Sequence, residues 1–296
     1  MYIQIRKKKI KTGWLSNRYN IGYWHWELPE FPDHWVKCFE LVDEIWVPSS
    51  FTHHSVSSKT GKPVRIIPHA VSFDIPADHD RSIFQLPESR FLFLTMFDLF
   101  STAARKNPYS VIKAFKQAFT KENQDAGLVI KVNNASFHPV EMEKVKQTIA
   151  GWPNIFLIEK DLCRQEVYGL MNAADCYISL HRSEGFGLPL AESMFLGKPV
   201  IATNWSGNLE FMDPGNSLLV GYTLKKVEEN FGPYTTDQMW AEPDTEQAAE
   251  RMRKVVENNN FAIQIGRLGK KTAESKLSPQ TIGNIYKNRL KELKLY

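Results

Sequence analysis

Cysteine is scarce in this 296-residue chain: Cys38, Cys163 and Cys176 are the whole complement, and no two form a C-x-x-C pair. That excludes a zinc knuckle and a disulfide framework, and it fits a reducing compartment. Also missing is an apolar run near the ~18 residues that a membrane span needs. The lysine-rich start is not followed by the apolar stretch of a signal peptide, so a cytoplasmic location is the expectation. Nor is positive charge spread over the chain. Lys and Arg number 37 against 33 Asp and Glu, yet residues 1–26 hold six basic groups (Arg6, Lys7, Lys8, Lys9, Lys11, Arg18) and no acid, so the rest is slightly acidic. Nucleic-acid binding draws its affinity from a basic face that neutralises phosphates, and that class is set aside. The basic start could touch anionic lipid, at about 1 kcal/mol per contact, or be a solvated tail.

What is present is an ordinary globular composition, 43% hydrophobic and 24% charged, in a length that allows two domains. Short β-branched and apolar runs alternate with helical spacing. Asp43 to Pro48, Val64 to Pro68, Phe91 to Phe97, Gly127 to Val132, Asn154 to Ile158, Asp175 to Leu180 and Lys198 to Thr203 read as strands. Val111, Ile112, Phe115, Ala118 and Phe119 share one helical face, as do Val167, Leu170, Met171 and Ala174. Such alternation predicts an α/β fold with a parallel, doubly wound sheet covered on both sides. Pro189 suits the first turn of a helix over 189–196, and Gly197 suits its left-handed end. Asp244 with Gln247 reads as a capping box for a helix to about Asn258. Residues 221–243 have low propensity but carry Tyr222, Phe231, Tyr234 and Trp240, so a long surface excursion is expected there rather than a free linker. From Ile263 to Tyr296 two helices are expected, broken at Ser278-Pro279.

The chemistry concentrates in His181 to Gly197, HRSEGFGLPLAESMFLG. This string leaves a buried strand, passes two glycines and enters a helix, the place where ligands sit in open parallel sheets. The N–H groups of Gly185, Phe186, Gly187 and Leu188, with the positive end of the helix, make a corner suited to phosphate. Glu184 and Glu192 flank it. An ionised carboxylate only accepts hydrogen bonds, so beside a phosphate site it suits the hydroxyls of a sugar or ribose.

The complete string resembles the E-x7-E signature of retaining glycosyltransferases of family 4. The resemblance extends over nearly the whole chain: Ile66 to Val71 (IIPHAV) is similar to the crossover linker, Phe97-Asp98 through Arg105-Lys106-Asn107-Pro108 to the donor-pyrophosphate loop, and Ala202 to Met212 to the segment after the next strand. It implies a GT-B fold of two Rossmann-like domains and a nucleoside-diphosphate sugar as donor, UDP or GDP, with no metal and no further cofactor. It also implies roles. Glu192 would hold the ribose hydroxyls, Glu184 would contact the transferred sugar, and Arg105 and Lys106 would neutralise the departing diphosphate; the plainer reading of that pair is a charged loop before a helix starting near Asn107. The string Tyr19 to Asp33 resembles the acceptor-side strand and loop, where His25 is a candidate catalytic residue and Glu27 lies nearby; a packed, hydrogen-bonded role for His25 stays open.

Two departures from the family pattern stand out. The further Arg that many members carry before the Arg-Lys pair is absent from Asp98 to Thr102 (DLFST), and only about 68 residues precede the linker. The expected division is therefore a partial acceptor-side domain over 1–68, a complete donor-binding domain over 69–270, and a helix over 271–296 packing back on the N-terminal part. The acceptor would be a glycan or a lipid-linked compound. A second reading is a catalytically silent subunit that binds nucleotide sugar and needs a partner chain. Asp78-His79-Asp80 matches a metal-binding DxD pattern by chance, and His53-His54 lacks the further ligands of a metal site.

Overall fold

The computed structural model describes residues 15–75 and 80–295. The lysine-rich start and most of the Asp78-His79-Asp80 motif therefore lie outside the described residues. The N-terminal part contains β1 (Ile21–Tyr23), β2 (Glu44–Val47), α1 (Ser50–Ser57) and β3 (Val64–Ile66). There follow β4 (Phe91–Asp98), α2 (Ala103–Lys106), α3 (Pro108–Ala118), β5 (Ala126–Asn133), α4 (Pro139–Ile149), β6 (Ile155–Ile158), α5 (Arg164–Ala173), β7 (Cys176–Ser179), α6 (Leu188–Phe195), β8 (Val200–Thr203) and β9 (Leu218–Val220). The chain ends with β10 (Tyr222–Lys226), β11 (Met239–Pro243), α7 (Thr245–Glu257), α8 (Asn259–Lys276) and α9 (Pro279–Glu292).

The larger sheet runs β6-β5-β4-β7-β8-β9, and every pair in it is parallel. Its strands read as unbroken apolar runs because both faces are buried. Successive residues feed opposite layers. Phe93, Phe97, Leu128, Ile130, Cys176 and Ile178 join α3, α4 and α7 on one side. Leu92, Leu94, Val129, Tyr177, Val200 and Ala202 join α5 and α6 on the other. The strand order reverses between β4 and β7, which opens a crevice at their carboxyl ends.

A second parallel sheet, β1-β2-β3, forms from the N-terminal part. The last helix returns to it: Ile282, Ile285 and Tyr286 of α9 pack with Trp46, Ile67 and Tyr23. Under this contact lies the fully buried Glu44, which accepts from Arg289 Nε at 2.8 Å, Trp46 Nε1 at 2.8 Å and the Tyr19 hydroxyl at 2.8 Å.

Two local expectations are corrected. The excursion expected over residues 221–243 contains an antiparallel ribbon, β10 paired with β11, and is not merely superficial, since Tyr234 and Trp240 are buried with Trp26, Leu28, Phe31 and Phe39 of the N-terminal part. At α7 the Asp244 carboxylate accepts from Glu246 N and Gln247 N, both at 3.0 Å, but the return bond of a capping box is absent. Gln247 Oε1 takes Gly221 N at 2.5 Å, and Asp244 N donates to Gly221 O at 2.8 Å, so both ends of the cap are tied to the start of the ribbon.

Arg289→Ala leaves Glu44 buried with no cation. Breaking such a pair costs about 3 kcal/mol, so the urea unfolding midpoint should fall accordingly, and Arg289→Lys should fall less. Equal midpoints for wild type and Arg289→Ala would contradict this account.

Candidate active site

The crevice between β4 and β7 is built from the loops that follow those strands. After β4, Asp98 Oδ1 accepts from Phe100 N at 2.8 Å and Asn134 Nδ2 at 2.9 Å, which turns the chain. Thr102 (φ 67°) then starts α2, so Arg105 and Lys106 stand on a short helix rather than on the loop expected as the plainer reading. Asn107 (φ 54°) ends that helix and caps α3, whose first residue is Pro108. After β7, His181 is buried; its Nε2 faces Trp205 O at 3.3 Å and Asn208 Oδ1 at 3.1 Å, while Nδ1 faces Ser179 Oγ at 3.1 Å. With two acceptors opposite it, Nε2 carries the proton, and burial keeps the ring from gaining a second one. Arg182 N donates to Arg105 O at 2.8 Å and Arg182 Nη1 to Ala104 O at 2.9 Å, so the two loops are tied together.

At this junction Glu184 meets both cations. Lys106 Nζ donates to its Oε1, Arg105 Nη1 lies 3.3 Å from its Oε2, and the same nitrogen donates to Ser183 O at 2.8 Å. Burial opposes ionisation of Glu184, but the charges of Lys106 and Arg105 outweigh it and hold the carboxyl down at about 2. Glu184, Arg105 and Lys106 are thus brought together as one charged cluster.

Gly185, Phe186 and Gly187 follow at the entry to α6. The N–H groups of Gly185, Phe186, Gly187 and Leu188 have no hydrogen-bond acceptor among the described residues. Gly187 adopts φ 88°, a conformation open to glycine. A Cβ at Gly207 would lie 2.1 Å from Gly185 O, so only glycine lets these two loops approach. The N-terminal part closes over the same loop: Ser49 Oγ and Thr52 Oγ1 donate to Gly185 O at 2.6 and 3.2 Å, and Ser183 Oγ donates to Glu27 O. The Phe186 ring is buried, against Phe211 and edge-on to His69.

Glu192 stands on the second turn of α6 and is 2% exposed. Arg164 Nη2 donates to its Oε1, while its buried Oε2 has no partner among the described residues. Burial pushes the carboxyl up to about 7 against the opposing charge of Arg164. An open, desolvated acceptor of this kind suits a hydroxyl donor. Arg164 in turn lies over the Tyr168 ring at 4.6 Å, with Nε donating to its hydroxyl at 2.9 Å.

His25 pairs with His69. Their Nε2 atoms are 2.8 Å apart and the rings are within 9° of parallel. One imidazole donates and the other accepts, so a single proton serves the contact. Through His69, His25 is joined to Phe186 of the glycine loop. Glu27 accepts from the Tyr234 hydroxyl at 3.0 Å. Sequence reasoning gave no site role to His69, Arg164 or Tyr234; His69 sits inside the IIPHAV string, but nothing in the local pattern pairs Arg164 with Glu192.

Of the other constellations, Asp78 and His79 lie outside the described residues. Asp80 caps the turn Arg81–Phe84 through Ser82 N and Ile83 N, and His53 and His54 lie on α1. Among the described residues no group of three or more His, Cys, Asp or Glu could hold a metal ion, and no helix is long and apolar enough to cross a membrane.

A doubly wound domain with a charged cluster and a glycine turn at its switch point, joined to a second parallel sheet, is the arrangement of GT-B proteins. Residues 78–272 match the family model described as glycosyl transferases group 1. The chain belongs to that family and is a glycosyltransferase. Its structure is similar to Anabaena HepE solved with UDP and glucose (TM-score 0.70, 16% identity, 92% of this chain and 71% of that one). It is also similar to the pneumococcal O-GlcNAc transferase GtfA solved with UDP and GlcNAc (0.65, 17%, 92% and 52%) and to the sucrose-phosphate synthase of Thermosynechococcus elongatus (0.64, 18%, 87% and 60%). The chain thus spans about half to two thirds of the length of the latter two. No curated protein matches the sequence.

Because Glu192 titrates in the fold above its ordinary 4.5, the stability it contributes is complete below that pH and is lost as pH rises through about 7. Glu192→Gln should therefore gain on wild type between about pH 5 and about pH 8 in urea unfolding. A difference that stays constant over that range would refute the assignment.

Proposed function

We propose that this chain moves a sugar from a UDP- or GDP-sugar to an acceptor hydroxyl with retention at the anomeric carbon, without a metal ion, as its resemblance to family 4 implies. The observation that carries the reading is the meeting of Arg105 and Lys106 with Glu184 beside four unbonded N–H groups. The diphosphate sits on the N–H groups of Gly185, Phe186, Gly187 and Leu188 at the positive end of α6. Glu192 accepts the ribose hydroxyls at its open oxygen, and Glu184 contacts the sugar. As the bond from the anomeric carbon to the diphosphate oxygen breaks, negative charge grows on that oxygen, and Lys106 and Arg105 stabilise it without reorganising. The acceptor hydroxyl attacks on the face the diphosphate leaves, and its proton passes to the departing phosphate oxygen. No covalent protein nucleophile is needed.

Before the donor arrives Glu184 neutralises both cations, which spares them from standing unpaired in a desolvated crevice. Binding exchanges part of this carboxylate contact for the diphosphate. In this reading residues 1–68 form the acceptor side, 69–270 the donor side, and 271–296 the returning helix. His25, supported by His69, borders the acceptor, a glycan or a lipid-linked compound. The basic start lends contact with an anionic cytoplasmic membrane face. The complexes of HepE with UDP and glucose and of GtfA with UDP and GlcNAc support a UDP-type donor over GDP.

Calorimetry with UDP and GDP tests the site: Glu192→Ala and Lys106→Ala should each weaken binding about tenfold or more, roughly 1.4 kcal/mol, and unchanged affinity in both removes the assignment. With a turned-over donor, nuclear magnetic resonance of the first-formed product should show the donor's anomeric configuration, at a rate indifferent to chelator. Nucleotide binding without turnover of any donor would favour a silent subunit completed by another chain.

A further inference from the structure

We propose that Tyr234, on the β10–β11 ribbon, is a positioning residue for the diphosphate clamp, acting through Arg105; the proposal rests on the transferase reading above. Arg105 is 3% exposed, and a guanidinium that must keep its charge aimed at one point needs support on more than one side. No second arginine precedes it in the loop Asp98 to Thr102. The support comes from the ribbon. The Tyr234 ring lies 5.7 Å from Arg105 Cζ, within the range where a ring face attracts a cation. That ring is itself held, because its hydroxyl donates to Glu27 Oε2 at 3.0 Å and Trp26 packs on it at 5.6 Å.

The ribbon braces α2 at a second point. Trp240 lies under the Arg182 guanidinium at 5.0 Å, Glu242 accepts from Arg182 Nε at 2.7 Å, and Ala241 N donates to Arg182 O at 2.9 Å. Arg182 carries this brace to α2 through its bonds to Ala104 O and Arg105 O. When a diphosphate draws Lys106 away from Glu184, Arg105 keeps Ser183 O on one side and the Tyr234 ring on the other. Its charge therefore stays where charge develops on the leaving oxygen, which makes the effect one on turnover more than on donor binding.

The test is steady-state kinetics with the donor that wild type turns over. Tyr234→Leu should lower kcat about tenfold or more while donor KM changes less than about threefold; Tyr234→Phe, which keeps the ring, should stay within about threefold of wild type in both. In an Arg105→Ala background Tyr234→Leu should change kcat less than about twofold, because two residues acting through one contact are not additive. Should Tyr234→Leu fail to fold, fluorinated phenylalanines at position 234 keep the shape and weaken the ring face, and kcat should fall stepwise with fluorine number. Four results overturn the proposal: undiminished kcat in Tyr234→Leu, a loss in Tyr234→Phe equal to that in Tyr234→Leu, an undiminished effect in the Arg105→Ala background, or kcat indifferent to fluorination. A wild-type chain that turns over no UDP- or GDP-sugar overturns the transferase reading, and this inference with it.

Discussion

A carboxylate taken out of water must find positive charge or surrender its own. Glu184 finds Lys106 and Arg105, and much of the molecule is arranged so that it does. The three residues belong to loops that leave β4 and β7, neighbours only because the strand order reverses between them. The bonds from Arg182 to Ala104 and Arg105, the buried neutral His181, and the close approach that Gly207 permits all keep these loops in register. The charged cluster and the unbonded N–H groups then lie side by side, one supplying net charge and the other fixed dipoles.

The N-terminal part contributes by covering this corner. Ser49 and Thr52 donate to the Gly185 carbonyl, Thr52 also reaches Trp26 O and Ser183 donates to Glu27 O, while the N–H side of the glycine loop has no acceptor among the described residues. Trp26, Phe31 and Phe39 bury the ribbon's Tyr234 and Trp240, and α9 seals Glu44 beneath Arg289. Water is thereby kept from one side of the crevice, and charges there act through a lower dielectric than they would on an open surface. Burial and the number of facing cations explain the opposite behaviour of the two glutamates: Glu184 is desolvated with two cations and stays ionised, whereas Glu192 is desolvated with one and is pushed up.

The strands β4, β5, β7 and β8 were legible because burial on both faces leaves uninterrupted apolar runs, and the start of α6 because Pro189 and Gly197 have positional meaning at helix ends. The ribbon over 222–243 was not, since Tyr222 to Lys226 is largely exposed and polar, and its pairing with Met239 to Pro243 depends on aromatic residues some two hundred positions away. Gln247 was assigned to its own helix cap on spacing alone, and the nearer free N–H of Gly221 claimed it.

From the amino-acid order alone came the α/β class, the doubly wound sheet, Glu184, Glu192 and the glycine turn, because periodicity and local turn chemistry act over a few residues, whereas Arg105 and Lys106 came from the resemblance to family 4. Only the tertiary structure decided the partners: Arg164 against Glu192, His69 against His25, Tyr234 against Arg105 and Glu27. A side chain's charge and shape are written where it stands in the chain, whereas the neighbour that desolvates or bonds it is chosen by how distant elements pack.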